Sequence, residues 1–109
     1  MNGMKLFENP EFGAIRTVEV GGEPWLVGKD VAQALGYSDT SDALKRHVDP
    51  EDKLTRRFAD SGQSRGMYII NESGLYSLVL SSKLPGAKKF RRWVTAEVLP
   101  SIRRHGLYA

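Results

Sequence analysis

Residues 81–109 read SSKLPGAKKFRRWVTAEVLPSIRRHGLYA, a basic amphipathic helix built around one tryptophan and interrupted by a proline. Leu84-Pro85-Gly86 breaks whatever precedes it, and the periodic pattern starts near Ala87. Phe90, Trp93, Val94 and Val98 fall at i, i+3, i+4 and i+8, one apolar stripe facing a core. Trp93 shares that stripe, so it reads as a core residue before it reads as a stacking platform. Pro100 cannot donate to the helix ladder. The pattern therefore predicts a helix from Ala87 to Leu99, a kink at Pro100 and an end at Gly106.

Lys88, Arg91, Arg92 and Thr95 share a second face of this helix. From Lys88 to Arg104 a continuous helix would span about 24 Å, long enough to meet several phosphates of one duplex face. Seven of the 16 Lys and Arg lie in residues 83–109 (Lys83, Lys88, Lys89, Arg91, Arg92, Arg103, Arg104), against the single acid Glu97. Residues 1–82 are net acidic, so the overall charge of +3 is polarised along the chain. A polarised basic end points to a polyanion or to an acidic protein surface. A solvated face that only keeps the helix soluble is the plainer explanation of the same residues.

Working back from the helix, Val18 and Val20, then Trp25 and Val27, alternate with polar residues around Gly21-Gly22, which predicts a tight β-hairpin. Pro24 should place its strand at a sheet edge. Phe7 to Phe12 adds a short third strand. KDVAQALGY has Val31, Ala32 and Leu35 at helical spacing, Asp30 in the first turn and Gly36 at C′. A second short helix runs from Ser38 or Thr40 to about Val48, with Ala43, Leu44 and Val48 inward, and Asp49-Pro50 ends it. Leu54–Phe58 and Met67–Ile70 form a second strand pair joined by the polar loop DSGQSRG. Asn71 caps a helix that carries Leu75, Leu78 and Val79 inward. Strands, two helices, strands and two helices make one α+β domain over residues 1–109.

The chain of 109 residues is 40% hydrophobic and 27% charged, ordinary for a globular protein. It has no cysteine, which excludes disulfides and thiolate chemistry and makes a reducing cytoplasm the expected compartment. No apolar run fits a signal peptide or the ~20 residues of a membrane span. The ending at Ala109, soon after the helix stop, reads as a domain boundary. Nothing suggests an enzyme. His47 and His105 lie apart without a ligand at metal spacing, and Asp49, Glu51 and Asp52 fit the start of a turn. Phosphate loop, nucleophile elbow and dinucleotide fingerprint are all missing, so no catalytic residue, metal or cofactor is expected.

The candidate residues are therefore basic ones. The paired helices KDVAQALGYSDTSDALKRHV are similar to a helix-turn-helix, with Lys45 and Arg46 on the second. The usual spacing would bury Asp42 and Lys45, so the turn must be longer by one or two residues, bringing Leu44 inward. Packing alone would also account for such a pair. Arg56 and Arg57 lie mid-strand on opposite faces, one of them toward solvent and the other at an edge or beside Asp60 or Glu51. Arg65 lies in the polar loop, from which it can reach a groove.

Three blocks, WLVGKDVAQALGYSDTSDALKRHVD, INESGLYSLVLSSKLPGAKKF and FRRWVTAEVLPSIRRHGLY, resemble the Bro N-terminal domain that opens many prophage antirepressors and the Bro proteins of large DNA viruses. They cover most of residues 25–108. Gly28 departs from the alanine more often expected there. The resemblance implies a DNA-binding, regulatory module of a longer antirepressor in the cytoplasm of a bacterial host, with double-stranded DNA as its partner. Lys88, Lys89, Arg91, Arg92, Arg103, Arg104, Lys45, Arg46, Arg57 and Arg65 are then the candidate DNA-binding residues. The alternative is a protein-interaction module that grips a phage repressor directly. A dimer is compatible with either.

Overall fold

A computed structural model describes the backbone of residues 4–60 and 63–107 and the side chains of residues 4–58 and 65–103. Strands β1 (Lys5–Asn9), β2 (Gly13–Val20), β3 (Glu23–Val27), β4 (Lys53–Asp60) and β5 (Gln63–Ile70) form one antiparallel sheet, in the order β1-β2-β3-β5-β4. Helices α1 (Gly28–Ala34), α2 (Thr40–His47), α3 (Glu72–Ser81), α4 (Ala87–Trp93) and α5 (Leu99–Leu107) bury their apolar sides together with Ile15, Leu26 and Ile70 of the sheet. The fold is α+β, as the sequence predicts.

Local signals set most of the turns. Gly21 and Gly22 both have positive φ (58° and 82°), which the two-residue hairpin between β2 and β3 requires. At the end of α1, Gly36 sits at φ 83° and its N–H reaches the Gln33 carbonyl, while the Tyr37 N–H reaches Ala32. That is a Schellman cap. The side chains of Asp39 and Asn71 accept from the Asp42 and Gly74 N–H groups and so cap α2 and α3.

Three strand assignments need correction. The first strand is Lys5–Asn9, and Phe12 lies in the turn beyond it, because the Asn9 carboxamide accepts from the Glu11 and Phe12 N–H groups and closes the strand. β3 is interior, yet β5 pairs with it only at Leu26 and Val27. Pro24 lies before that ladder begins, so its missing N–H costs nothing. The polar segment expected as a loop is mostly strand: β4 and β5 pair from Lys53↔Ile70 to Asp60↔Gln63, which puts Arg65 within β5 opposite Phe58.

The final helix differs most. Its irregularity is a π turn at Val94–Val98, one turn before Pro100, and the Leu99 N–H donates to the Val94 carbonyl five residues back. Proline would clash with the carbonyl of Ala96 in a regular helix. Widening the preceding turn relieves this and also re-phases the stripe. At about 100° per residue, an unbroken helix would turn Glu97 and Ser101 to the side of Phe90. With the extra residue in the turn, Val98, Leu99 and Ile102 are buried instead, while Glu97 is exposed. The helix continues through Gly106 to Leu107.

Trp93 also needs correction. Phe90, Val94 and Val98 are fully buried, but Trp93 is half-buried beside them, its ring stacked on Phe12 at 6.3 Å. It packs toward the β1–β2 turn, since Phe90 occupies the place facing α3 and the sheet.

Two packing details lie beyond sequence patterns. The Arg16 guanidinium grips the buried Asp30 carboxylate through two 2.8 Å bonds, and the Arg16 N–H adds a third at 2.9 Å, joining β2 to α1. A Cβ on Gly28 would come within 2.8 Å of Leu44 Cδ2, so an alanine there would force Leu44 to move. The glycine lets α2 approach α1 closely.

Candidate nucleic-acid interface

The opposite face of the sheet carries its own small cluster, Val18, Trp25, Val27 and Ile69, against which Phe58 and Met67 pack. These two side chains hold one face of the β4–β5 ribbon against the sheet. Strand alternation then turns Lys53, Thr55 and Arg57 of β4, with Tyr68 and Gly66 opposite, to the other face. Arg57 and Thr55 are exposed, and Tyr68 is 42% exposed. A Cβ on Gly66 would lie 3.4 Å from both the Arg57 guanidinium and the Thr55 methyl. The arginine thus lies across bare backbone.

Lys53 joins this ribbon face to the paired helices. Its ammonium donates to the carbonyls of Leu44 and Val48 at 2.9 and 3.1 Å, at the C-terminus of α2, and stands 5.4 Å from the centre of the Tyr68 ring. A cation here suits both the negative end of the helix and the π face of the ring. Lys45 and Arg46 are exposed on the last turn of α2, while Ala43, Leu44 and Val48 are buried. The longer turn inferred from the sequence is present, with Leu44 inward and Asp42 outward. Arg46 pairs with Asp42 at 3.5 Å, an exposed i,i+4 contact of little energetic weight. Arg57 lies four residues along β4 from Lys53, about 13 Å farther up the ribbon.

The final helix presents its charge differently. Lys89 pairs with Glu11 at 2.8 Å, and Arg103 pairs with Glu72. Glu72 also accepts from the Tyr76 hydroxyl at 2.6 Å, and this bond, with burial second, holds the Tyr76 pKa above the ordinary phenol value. Lys88, Arg91 and Arg92 are exposed, and among the described residues none of the three forms an ion pair. Arg104 belongs to α5, but its side chain lies outside the described residues, as does that of His105. Arg65 is exposed on β5, on the ribbon face that carries Phe58 and Met67. Arg56 is half-buried on that same face, opposite Met67.

Sequence reasoning selects Lys45, Arg46 and Arg57 but misses Lys53 and Tyr68. The period-2 pattern Lys53, Thr55, Arg57 is the available signal for the shared face. Nothing local reveals that Lys53 reaches α2. Among the described residues, no group of three His, Cys, Asp or Glu could hold a metal ion. No described helix is long and apolar enough to cross a membrane.

Residues 14–100 match the model of the BRO family, N-terminal domain. The chain belongs to this Bro-N family. A putative Bro-N domain-containing protein of invertebrate iridescent virus 6 is 44% identical, the match covering 79% of this chain and 25% of that protein. An uncharacterized protein of Haemophilus influenzae is 40% identical over 80% of this chain and 43% of its own length. An uncharacterized Bro-N domain-containing protein of Acanthamoeba polyphaga mimivirus is 31% identical, with 78% of this chain and 39% of that protein covered. The Bro-N chain thus spans less than half the length of these relatives. No solved structure matches it at a significant level.

Proposed function

We propose that this Bro-N domain binds double-stranded DNA through the outward face of the β4–β5 ribbon and the last turn of α2. The observation that carries this reading is the two-stranded ribbon itself. It is eight residues long on each strand, β3 covers only Ile69 and Ile70 at its foot, and beyond that foot one face exposes Thr55, Arg57 and Tyr68, with half-buried Lys53 linking it to Lys45 and Arg46 on α2. A two-stranded ribbon or a helix is what the major groove of B-DNA, about 12 Å wide, admits. Arginine and lysine at its margins then serve phosphates or guanine edges. In the wider setting, the domain would act as the DNA-binding module of an antirepressor. It would work in the cytoplasm of a host cell, in transcriptional control of the choice between lysogeny and lysis, with no catalytic step and no cofactor.

A duplex titration over a range of salt concentrations tests the reading. Four phosphate contacts by Lys45, Arg46, Lys53 and Arg57 would give a log–log slope of about −4, from roughly −0.9 per contact. Loss of duplex affinity in Arg57→Ala and Lys45→Ala, with wild-type melting, supports the interface. A folded domain with no duplex affinity at low salt would end it.

A further inference from the structure

Between α3 and α4 lies a groove of about 670 Å³ lined by the apolar side chains of Val79, Leu80 and Leu84, by Tyr76, and by Lys88 and Arg91 of α4. Leu80 is 85% exposed, the most exposed large apolar side chain among the described residues. It points away from Leu75 and Leu78, the buried residues of the same helix, so the domain's own packing makes no use of it. An apolar surface that is left open and flanked on one side by charge of one sign marks a site for a partner.

The flanking charges are available. Lys89 and Arg103, on the same final helix, are occupied by Glu11 and Glu72, whereas Lys88 and Arg91 form no ion pair among the described residues. Glu72, the carboxylate nearest the Tyr76 end of the groove, is itself held by Arg103 and the Tyr76 hydroxyl. Lys88 and Arg91 stand one helical turn apart, and two carboxylates spaced i, i+3 or i, i+4 on a partner helix would match that separation. Phosphates gain nothing from Leu80, Val79 and Leu84, so a duplex is a poor occupant. Leucine-like side chains flanked by carboxylates satisfy both the apolar lining and the flanking charges.

We propose that the α3–α4 groove docks an acidic amphipathic helix of another protein, its apolar side chains on Leu80 and Val79 and its carboxylates on Lys88 and Arg91. This surface is separate from the ribbon, and the proposal stands whether or not the ribbon binds DNA.

The probe is a fluorescein-labelled helical peptide with Leu at i, i+3, i+4 and i+7 and Glu on the flanks, read by fluorescence anisotropy. A second peptide replaces every Glu by Lys. The acidic peptide should bind with a Kd on the order of tens of micromolar, and the basic one at least about tenfold more weakly. Leu80→Asp should weaken the acidic peptide by about tenfold or more and leave melting and duplex affinity unchanged. Arg91→Glu should reverse the preference between the peptides. Several results would overturn the proposal: no binding at millimolar peptide, equal affinity for both peptides, or wild-type binding by Leu80→Asp. Displacement of the peptide by duplex DNA would assign the groove to the nucleic-acid face. A domain dimer that Leu80→Asp dissociates would assign it to a second copy. Either result also overturns the proposal.

Discussion

The β4–β5 ribbon and the final helix are both rich in basic residues, and the fold uses them in different ways. In the helix, Phe90, Val94, Val98, Leu99 and Ile102 are buried, and Lys89 and Arg103 pair with acids from the β1–β2 turn and from α3. Part of its charge is thereby neutralised within the domain. The ribbon is anchored at its foot, by buried Ile69 and Ile70, two register pairs with β3 and the Lys53 bonds to α2, and farther along by Phe58 and Met67 on one face. Its other face keeps Arg57 and Tyr68 in solvent, with Lys53 reaching across to α2. A dense run of basic residues therefore says less about binding than which of them the fold leaves exposed and out of ion pairs: Arg57 on the ribbon, and Lys88, Arg91 and Arg92 on the helix.

The largest expected effect concerns the anchoring of the helix. Phe90→Ala should destabilise the domain by about 3–5 kcal/mol, since the ring is fully buried. Trp93→Ala, half-buried against Phe12, should cost clearly less, about 1–2 kcal/mol from the removal of its apolar area and ring stacking. Chemical denaturation of the two variants checks the order, and an equal or larger loss for Trp93→Ala would place the tryptophan at the centre of the core.

Next comes the division between the two regions. Replacing Lys45, Arg46 and Arg57 together by alanine should make the salt slope of duplex binding shallower by about 3, roughly 0.9 for each phosphate no longer neutralised. Arg91→Ala combined with Arg92→Ala should change that slope by less than about 1. Were the second variant to lose about 2 and the first nothing, the final helix would lead the contact and the comparison would be inverted.

A further pair separates base readout from phosphate attraction on α2. If Lys45 or Arg46 reads a base, its alanine variant should lose about 1–3 kcal/mol of discrimination between a preferred duplex and a scrambled one. Equal loss on both duplexes would limit α2 to backbone contacts. The smallest effect belongs to Gly66→Ala, whose Cβ would crowd the Arg57 guanidinium and the Thr55 methyl at 3.4 Å. Stability should stay within about 1 kcal/mol of the parent, because alanine suits a strand at least as well as glycine. Duplex affinity should fall a few-fold as Arg57 is displaced, and unchanged affinity would show that its placement over the glycine is incidental.

The elements whose causes lie within a few residues are legible in the amino-acid sequence. The Gly21-Gly22 turn, the Gly36 cap, the Asn71 cap, the inward set of α2 and Leu75 and Leu78 of α3 all follow from positive φ, a short polar side chain or a 3.6-residue period, whereas Val79, also expected inward, is half-buried at the edge of a groove. The α+β order of elements follows from them. The features that escape such reading depend on partners distant along the chain or on steric conflict in three dimensions. Arg16 meets Asp30 only because β2 packs beside α1, and Lys53 caps α2 only because β4 starts beneath it. The length of the ribbon comes from strand pairing through a polar segment whose composition reads as loop. Where Pro100 acts was likewise decided by packing: a π turn at Val94–Val98 keeps Glu97 out of the core, which a straight helix would not. The sequence by itself determined the family, the kinds of elements and the excess of basic residues near the C-terminus. Only the tertiary structure decided which charges are paired inside the domain and which stay exposed, because ion pairing depends on distances that the chain acquires only on folding.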